Sequence, residues 1–577
     1  MRVAAVWVWL GLGLLASGAE GQGGGVLPNQ WPKQDLDRYL ALENDWSSPR
    51  PAATGSRGMI AGTSGPVAVH AGLRVLQQGG SAADAAVTTA LAQIALAAGG
   101  VISYAGMMTA VYYDAATGKV YTLNAGYNTV RNERNARGIP GPGRPSGRTA
   151  LVPGFMAGVE ALHGRFGKLP FATLFGPAIW IAAKGVAVSP PVGEWLVSQK
   201  EVITRLPEAR RIFTKPNGEQ YRTGDRLRQP ALAETLRRVA KHGSAYMYTG
   251  EWARRLVAAV QREGGKMTRE DLASYRALWT EPLETSYLDY QAVSLGPPNT
   301  GGLITLGGLK LAEAAGMQQY GHYTRSADAL YYLIQMVRTE KLFVTMAPRM
   351  LRNYFPGVDP SPQARLTRDT AERIWAYIQK DMKPVPADPG RGLHHSTGVL
   401  AVDERGNVAA ILHSSNATIW GTTGIFVDGV SIPDSASMQQ GEVAAAGPGA
   451  RLPDASIPML VLKGGRPVLA CTAMGYALQE VTLQNLVNVL DFGMDPKTSV
   501  DQPNFRGPSP ADYQKETIGE GDFTAAVLDG LRARGQPVQL VSRNDQGGWW
   551  IGIQIDPQTR KLSGGVTSAM NALVEGY

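Results

Sequence analysis

Residues 394–414 read HHSTGVLAVDERGNVAAILHS, and they carry the clearest structural pattern in the chain. Two apolar runs, 398–403 and 408–414, flank a short turn-forming segment, which predicts a β-hairpin. A linker rich in Pro, Gly and Asp (384–392) comes before it. Ser396 therefore stands at the start of a strand, directly after a flexible segment. That position would suit a nucleophile exposed by chain cleavage, although any hairpin after a linker would look similar.

The sequence before this hairpin predicts more helices and a second hairpin. An alanine-rich stretch, 66–98, is interrupted by Gly79-Gly80, and Ser81 with Asp84 three residues later is typical of a new helix start. Alternating β-rich residues on either side of a turn predict paired strands at 107–113 and 119–123. Further helical patterns cover 153–185, 229–264 and 327–347.

Composition and the first residues indicate a large, exported globular protein. The 577 residues are 44% hydrophobic and 18% charged, and the net charge of +8 forms no Lys/Arg block, so no nucleic-acid partner is predicted. Arg2, an apolar run at 3–15 and small residues up to Ala19 are typical of a secretory signal peptide, 1–19. We therefore expect a secreted or periplasmic protein with no membrane attachment after signal removal, and a flexible lead-in over 20–57.

Several kinds of active site are disfavoured by the sequence. Cys471 is the only cysteine, so the chain can form no internal disulfide. The seven histidines have no metal-ligand spacing, and the sequence contains no HExxH, phosphate-binding loop, dinucleotide fingerprint or GxSxG motif. The sequence predicts neither a metal nor a cofactor.

Short motifs spread along the chain resemble the gamma-glutamyltranspeptidase family. They include, in order, GMIA (58–61), GGSAADAAV (79–87), VPG (152–154), PPNTGG (297–302) and DFGMD (491–495). The resemblance implies an α+β fold, the four-layer αββα sandwich of N-terminal nucleophile hydrolases. It also implies one precursor cut into a large subunit (58–395) and a small subunit (396–577).

The resemblance places the nucleophile at the start of the small subunit. The family segment begins with two threonines and ends in aspartate, and counting back from Asp403 places its first residue at Ser396. It therefore implies cleavage between His395 and Ser396. The new α-amine, with an ordinary pKa of about 8, would act as the base for the Ser396 hydroxyl. Thr397 is the alternative nucleophile, and it requires an alignment shifted by one residue.

Other family positions imply partners for this nucleophile. Ser414 matches the supporting threonine, and Asn416 matches a substrate-binding asparagine. The paired glycines that form the family's oxyanion hole fall on Met474 and Gly475. Their backbone N–H groups could still stabilise an oxyanion if Met474 tolerates the required dihedral angles.

The family's glutamate-recognition residues are replaced. The arginine that binds the substrate α-carboxylate aligns with Gly126, which cannot make its bidentate contact. The remaining recognition positions fall on Ser435, Met438, Asp454 and Ala455. Arg131 or Arg451 could substitute for the missing arginine from nearby.

These observations favour an amidohydrolase or acyltransferase that acts on a small amide or peptide with altered specificity. A true gamma-glutamyltransferase, or glutathione hydrolase, is the alternative. A second alternative is a non-catalytic exported protein that retains the fold.

Overall fold

The computed structural model describes residues 25–381, 396–509, 512–542, 547–568 and 570–577. The expected signal peptide, the linker 384–392 and His395 lie outside the described residues. No helix within the described ranges is both long and apolar enough to cross a membrane.

Most strands belong to two seven-stranded sheets. In chain order the strands are β1 (Ala53–Gly55), β2 (Met59–Gly62), β3 (Met107–Asp114), β4 (Lys119–Ala125), β5 (Val186–Ala187), β6 (Arg226–Leu227), β7 (Leu278–Thr280), β8 (Pro282–Tyr287), β9 (Tyr290–Leu295), β10 (Ser396–Val402), β11 (Val408–Ser414), β12 (Phe426–Val427), β13 (Val430–Ser431), β14 (Met459–Lys463), β15 (Arg466–Gly475), β16 (Phe505–Ser509), β17 (Asp512–Gly519), β18 (Val538–Val541), β19 (Gly548–Ile555), β20 (Leu562–Val566) and β21 (Leu573–Gly576).

The first sheet has the order β21-β2-β10-β11-β3-β4-β7, and the second has the order β1-β20-β19-β15-β14-β9-β8. An apolar cluster that includes Leu400, Val402 and Ile553 fills the space between them. Because side chains alternate along a strand, Val399 and Ala401 of β10 point the other way, into a helical layer. Burial on both faces explains why the sequence of β10 is almost continuously apolar.

Helices cover the outer face of each sheet. In chain order they are α1 (Lys33–Leu42), α2 (Pro66–Gln77), α3 (Ala82–Leu96), α4 (Phe155–Phe166), α5 (Phe171–Leu174), α6 (Gly176–Lys184), α7 (Pro190–Ser198), α8 (Lys200–Arg205), α9 (Pro207–Phe213), α10 (Pro230–His242), α11 (Ala245–Tyr248), α12 (Glu251–Arg262), α13 (Arg269–Ala273), α14 (Gly301–Ala315), α15 (Ala327–Thr345), α16 (Pro348–Tyr354), α17 (Pro362–Arg365), α18 (Arg368–Asp381), α19 (Gln440–Ala446), α20 (Leu478–Leu490), α21 (Pro496–Val500) and α22 (Ala525–Ala533).

The resulting order is helices, sheet, sheet, helices, the αββα sandwich that the resemblance implies. Helices α2 to α6 pack on the first sheet, and α14, α15 and α20 pack on the second. The predicted break between α2 and α3 is confirmed. Ser81 Oγ accepts from Asp84 N–H at 3.1 Å, and the Asp84 carboxylate accepts from Ser81 N–H at 2.9 Å, which caps α3. Both predicted hairpins are present as β3–β4 and β10–β11.

The predicted flexible lead-in is wrong for its described part. Residues 28–50 contain α1 and pack against α2 and the C-terminal strand β21. Trp31 and Tyr39 are buried around the His70 ring, and the Tyr39 hydroxyl donates to Glu575. These contacts stabilise the segment although its polar, Pro-containing sequence resembles a linker. The helices α7 to α9, α13, α14 and α16 to α22 likewise have no counterpart in the sequence-based prediction.

Candidate active site

Ser396 begins β10, an interior strand of the first sheet, and lies directly opposite Ser414 of β11. In the ladder of this hairpin Ser396 pairs with Ser414, and Thr397 pairs with His413. Facing residues of an antiparallel pair share one face of the sheet, so Ser396 and Ser414 lie on the face toward β15. Thr397 and His413 lie on the face toward α3, where His413 Nε2 contacts Gln93 Oε1 at 2.9 Å. Burial lowers the pKa of His413 to about 3, so its imidazole is neutral.

Asn416 and Asp454 are held close to Ser414. The backbone N–H of Asn416 donates to Ser414 Oγ at 2.9 Å, in a tight turn where Asn416 has φ +45°. Asn416 Nδ2 donates to Asp454 Oδ2 at 2.8 Å, and the other oxygen of Asp454 accepts from Ser456 N–H at 2.8 Å. The predicted partners Ser414, Asn416 and Asp454 therefore form one connected group beside Ser396.

Met474 and Gly475 end β15, in the second sheet. Gly475 has φ +92°, and a Cβ there would lie 2.3 Å from the carbonyl oxygen of Gly547, so this position requires glycine. Met474 lies outside the left-handed region, which removes the steric objection to its backbone serving in an oxyanion hole. Gly398 of β10, two residues after Ser396, packs closely against Thr472 of β15. The strands β10 and β15 therefore meet at this end of the sandwich.

A cavity that opens to solvent is bordered by Ser396, Thr397, Met474 and Gly475. Its volume is about 750 Å³ when the solvent space at its mouth is included. Most of its other walls are apolar. They include Trp46, Leu96, Ala97, Val101, Ile102, Val186, Val192, Trp195, Trp549 and Met570. No lysine, arginine or histidine is among its described lining residues, and Glu43 is the one carboxyl group there. A cavity with this lining suits an uncharged, apolar group.

Glu43 contributes little charge to the cavity at neutral pH. It is 5% exposed, and burial raises the pKa of its carboxyl to about 8. One of its oxygens accepts from Val67 N–H at 2.7 Å, and the other accepts from Asn571 Nδ2 at 3.2 Å. These hydrogen bonds favour the charged form but only partly offset the effect of burial, so the carboxyl group is mostly protonated at pH 7.

The other predicted recognition residues lie outside this cavity. Ser435 is completely buried and donates to the carbonyl of Ser415 at 2.6 Å, which gives it a structural role. Asn416 and Asp454 are also absent from the described lining. The structure therefore brings Ser396, Thr397, Met474 and Gly475 together around the cavity and leaves the remaining predicted contacts beside it.

Arg451 fills the space next to Gly126, but its donors are already engaged. A Cβ at Gly126 would lie 3.2 Å from Arg451 Cδ. The guanidinium donates to the carbonyl and side-chain oxygens of Asn124, at 2.5 and 2.8 Å, to Asn128 Oδ1 at 2.7 Å and to the Arg276 carbonyl at 2.6 Å. Four of its five N–H groups are thereby used within the protein.

Arg131 is also committed elsewhere. Its guanidinium donates to Ser274 Oγ at 2.8 Å and lies 3.7 Å from the Glu270 carboxylate and 3.9 Å from the Asp271 carboxylate. Neither arginine is placed as a free partner for a substrate carboxylate.

Sequence reasoning missed the residues that shape the cavity. Glu43, Trp46, Trp195 and Asn571 come from segments that are distant in sequence, and no motif marks them. The described ranges contain no group of three His, Cys, Asp or Glu side chains arranged to hold a metal. Cys471 is buried, and burial raises the pKa of its thiol to about 12.

Known proteins similar to this chain carry two kinds of name. A glutathione hydrolase proenzyme of Pseudomonas sp. (strain A14) is 28% identical over 500 residues, covering 81% of this chain and 84% of that protein. Acylase ACY 1 proenzyme of Pseudomonas sp. (strain SE83) is 28% identical over 526 residues, covering 86% and 89%. The crystal structure of cephalosporin acylase from Bacillus halodurans has the same fold, with a TM-score of 0.78 at 24% identity over 92% of this chain and 97% of that one.

The family model described as gamma-glutamyltranspeptidase matches residues 68–571, which is most of the chain. The fold expected from the resemblance is confirmed by these matches and by the four layers of the structure. The chain belongs to the gamma-glutamyltranspeptidase family of amide-bond hydrolases and transferases.

Proposed function

We propose that this protein is a self-cleaving amide hydrolase or acyltransferase whose nucleophile is Ser396 and whose acyl group is uncharged and apolar. One observation carries the proposal. Ser396 borders the same cavity as the backbone of Met474 and Gly475, and the rest of that cavity is mainly apolar and has no cation among its described lining residues.

Self-cleavage would begin with attack of Ser396 Oγ on the carbonyl carbon of His395. The peptide C–N bond breaks as an ester forms, and water then hydrolyses the ester. This sequence leaves a carboxylate on His395 and a free α-amine on Ser396. The names of both proenzyme relatives support such a precursor, which would give a large and a small subunit.

In the cut enzyme, Ser396 Oγ attacks the substrate carbonyl and its proton moves to the α-amine. The backbone N–H groups of Met474 and Gly475 would stabilise the oxyanion, and the amine product leaves with the transferred proton. Water or a second amine then takes the acyl group from Ser396.

The direction of the side chains favours Ser396 over Thr397. Ser396 shares a face with Ser414, toward β15 and the Met474–Gly475 backbone. Thr397 shares the opposite face with His413, which contacts Gln93 in α3. A nucleophile must lie on the side of the oxyanion donors, and Ser396 satisfies this requirement.

The cavity supports an acyl group other than gamma-glutamyl. A gamma-glutamyl group carries an ammonium and a carboxylate, and burying either without a partner is costly. Gly126 stands where the family has its substrate-binding arginine, and the guanidinium groups of Arg451 and Arg131 are bound to other groups of the protein. Asp454 beside Asn416 is the observation that favours the alternative, because a carboxylate at that place could bind an ammonium group.

The proposal includes export, with removal of residues 1–19. It rests on the charged, apolar and small-residue pattern of the first residues. N-terminal sequencing of the large subunit from the native host should begin at Glu20, and a large subunit that still starts at Met1 would contradict export.

Substrate preference tests the proposal directly. The purified enzyme is assayed with hexanoyl and gamma-glutamyl p-nitroanilides, and its Ser396→Ala variant is the control. We expect kcat/KM to be at least about tenfold higher for the hexanoyl substrate. The cavity lacks the charge-assisted hydrogen bond that a gamma-glutamyl carboxylate needs, and such a bond is worth about 1.5–3 kcal/mol. Faster release from the gamma-glutamyl substrate would instead support a glutathione hydrolase. Equal release by Ser396→Ala would contradict the assigned nucleophile.

A further inference from the structure

The N-terminal strap, residues 28–50, forms one wall of the cavity that contains Ser396. It contributes Glu43 and Trp46 to the lining. The family model begins its match at residue 68, after the strap has ended. The strap is therefore a feature of this chain outside the matched family region.

Both ends of the strap are fixed to the body of the protein. Towards one end the Trp31 ring lies edge-on to His70 at 4.6 Å, the Tyr39 ring stacks on His70 at 3.9 Å, and His70 Nδ1 contacts Glu575 Oε2 at 3.0 Å. At the other end the Arg50 backbone N–H donates to Ser568 Oγ at 3.1 Å, and Arg50 Nε donates to the Met570 carbonyl at 3.2 Å. A segment held at two places can support a rigid binding wall.

The middle of the strap is fixed at Glu43. Its carboxyl group contacts Val67 and Asn571, and Asn571 Oδ1 also accepts from Gly65 N–H at 3.3 Å. The indole Nε1–H of Trp46 donates to the Glu43 carbonyl at 2.9 Å. The orientation of the half-buried Trp46 ring is therefore set by the same anchor.

Trp46 and the nucleophile border the same cavity from different segments of the chain. Gly398 of β10 donates to Thr63 Oγ1 at 2.9 Å, and the loop continues through Ser64 and Gly65 to the contact with Asn571. Glu43 and then Trp46 come next. Ser396 and Trp46 are therefore linked through residues that, apart from Thr63 and Gly398, line the same cavity.

We propose that Trp46 of the N-terminal strap limits the length of the acyl chain that the cavity accepts. The proposal rests on the proposed function, since it takes the cavity as the acyl-binding site. The substrate class is amides of unbranched aliphatic acids, which need no charged partner. Replacing Trp46 by a small residue opens the wall to longer chains, which contact more of the wall than short chains do.

The test compares acetyl and dodecanoyl p-nitroanilides on the parent enzyme, Trp46→Ala and Trp46→Phe. Trp46→Ala should raise the dodecanoyl-to-acetyl ratio of kcat/KM at least about tenfold, because even one methylene in a pocket changes selectivity by about 10–200-fold. The change in kcat/KM should be larger for the dodecanoyl than for the acetyl substrate, because a longer acyl chain contacts more of the cavity wall. The dodecanoyl-to-acetyl ratio of Trp46→Phe should lie between those of the parent and Trp46→Ala. Because phenylalanine keeps an aromatic ring in the wall, this variant also shows whether a loss of folding explains the result for Trp46→Ala.

Trp279→Ala is the matched control, because Trp279 is a half-buried tryptophan outside the described lining of the cavity. Its selectivity should equal that of the parent. An unchanged ratio in Trp46→Ala, or an equal fall for both substrates, would overturn the assignment.

Binding separates this proposal from the proposed function. Calorimetry with dodecanamide uses Ser396→Ala with and without Trp46→Ala, so it requires no turnover. Tighter binding in the double variant supports the role of Trp46 even if no anilide is hydrolysed, a result that would contradict only the proposed function. Equal binding by the two proteins would overturn the role of Trp46.

Discussion

Replacing Glu43 with glutamine should remove a pH-dependent loss of stability. Burial raises the pKa of Glu43 from 4.5 to about 8, and the hydrogen bonds from Val67 and Asn571, together with the charge of Arg50, only partly offset this rise. Between these values the native chain holds a proton that the unfolded chain has released, so the free energy of unfolding falls as the pH rises. Because a pKa difference of one corresponds to about 1.4 kcal/mol, the loss approaches roughly 5 kcal/mol at pH 8.

Glu43→Gln also lowers the free energy of unfolding by an amount that does not depend on pH. Its side-chain oxygen can keep the hydrogen bond from Val67 N–H, but its NH₂ group would face the Asn571 amide and lose that bond, at about 1 kcal/mol. The variant should therefore be less stable than the parent at pH 4.5 and more stable at pH 8.

Thermal unfolding measures this change of sign. Tm is recorded at pH 4.5, 6.5 and 8.5 in a Ser396→Ala background, which we expect to keep the chain uncut. Glu404→Gln, at an exposed turn, is the control and should follow its parent at every pH. A Tm difference for Glu43→Gln that stays constant across this range would refute the argument from the buried carboxyl group.

Three further predictions concern the site. Gly475→Ala should lower kcat at least about 100-fold if the N–H of Gly475 stabilises the oxyanion, because the added Cβ would collide with Gly547 and displace that N–H. Gly465 also has a positive φ, +76°, but has open space around it, so Gly465→Ala is the control and should change kcat by less than about threefold. Equal effects of the two substitutions would contradict the role of Gly475. Arg451→Met should lower stability by about 2–4 kcal/mol, measured by urea unfolding, because it leaves buried acceptors unpaired. The same variant should leave the preference for hexanoyl over gamma-glutamyl anilide unchanged, and a shift of more than tenfold would show that Arg451 contacts the substrate.

Local patterns were sufficient to predict the elements nearest the nucleophile. The β10–β11 hairpin follows from two apolar runs around a turn, and the α2–α3 break follows from Gly79-Gly80 and the Ser81 cap. The layer order came from the family resemblance. Periodicity alone could not have distinguished an inward from an outward face on β10, because both of its faces are buried.

The cavity and the strap depend on contacts between distant segments. Tyr39 hydrogen-bonds to Glu575, and Glu43 hydrogen-bonds to Asn571. The two residues of each pair are more than 500 positions apart in the sequence. Such contacts leave no local pattern, so the lead-in resembled a flexible segment. The loss of the family arginine was visible at Gly126, but the engagement of Arg451 with Asn124 and Asn128 required the structure.

N-terminal sequencing of the small subunit, after separation on an SDS gel, tests the central claim most directly. The parent should give two bands, and the smaller should begin Ser396-Thr397-Gly398-Val399-Leu400. Ser396→Ala should remain a single uncut chain, whereas Ser396→Thr and Thr397→Ala should still be cut, because only the hydroxyl at 396 is needed. A small subunit that begins at Thr397, cleavage in Ser396→Ala, or an active parent that stays uncut would contradict Ser396 as the self-exposed nucleophile.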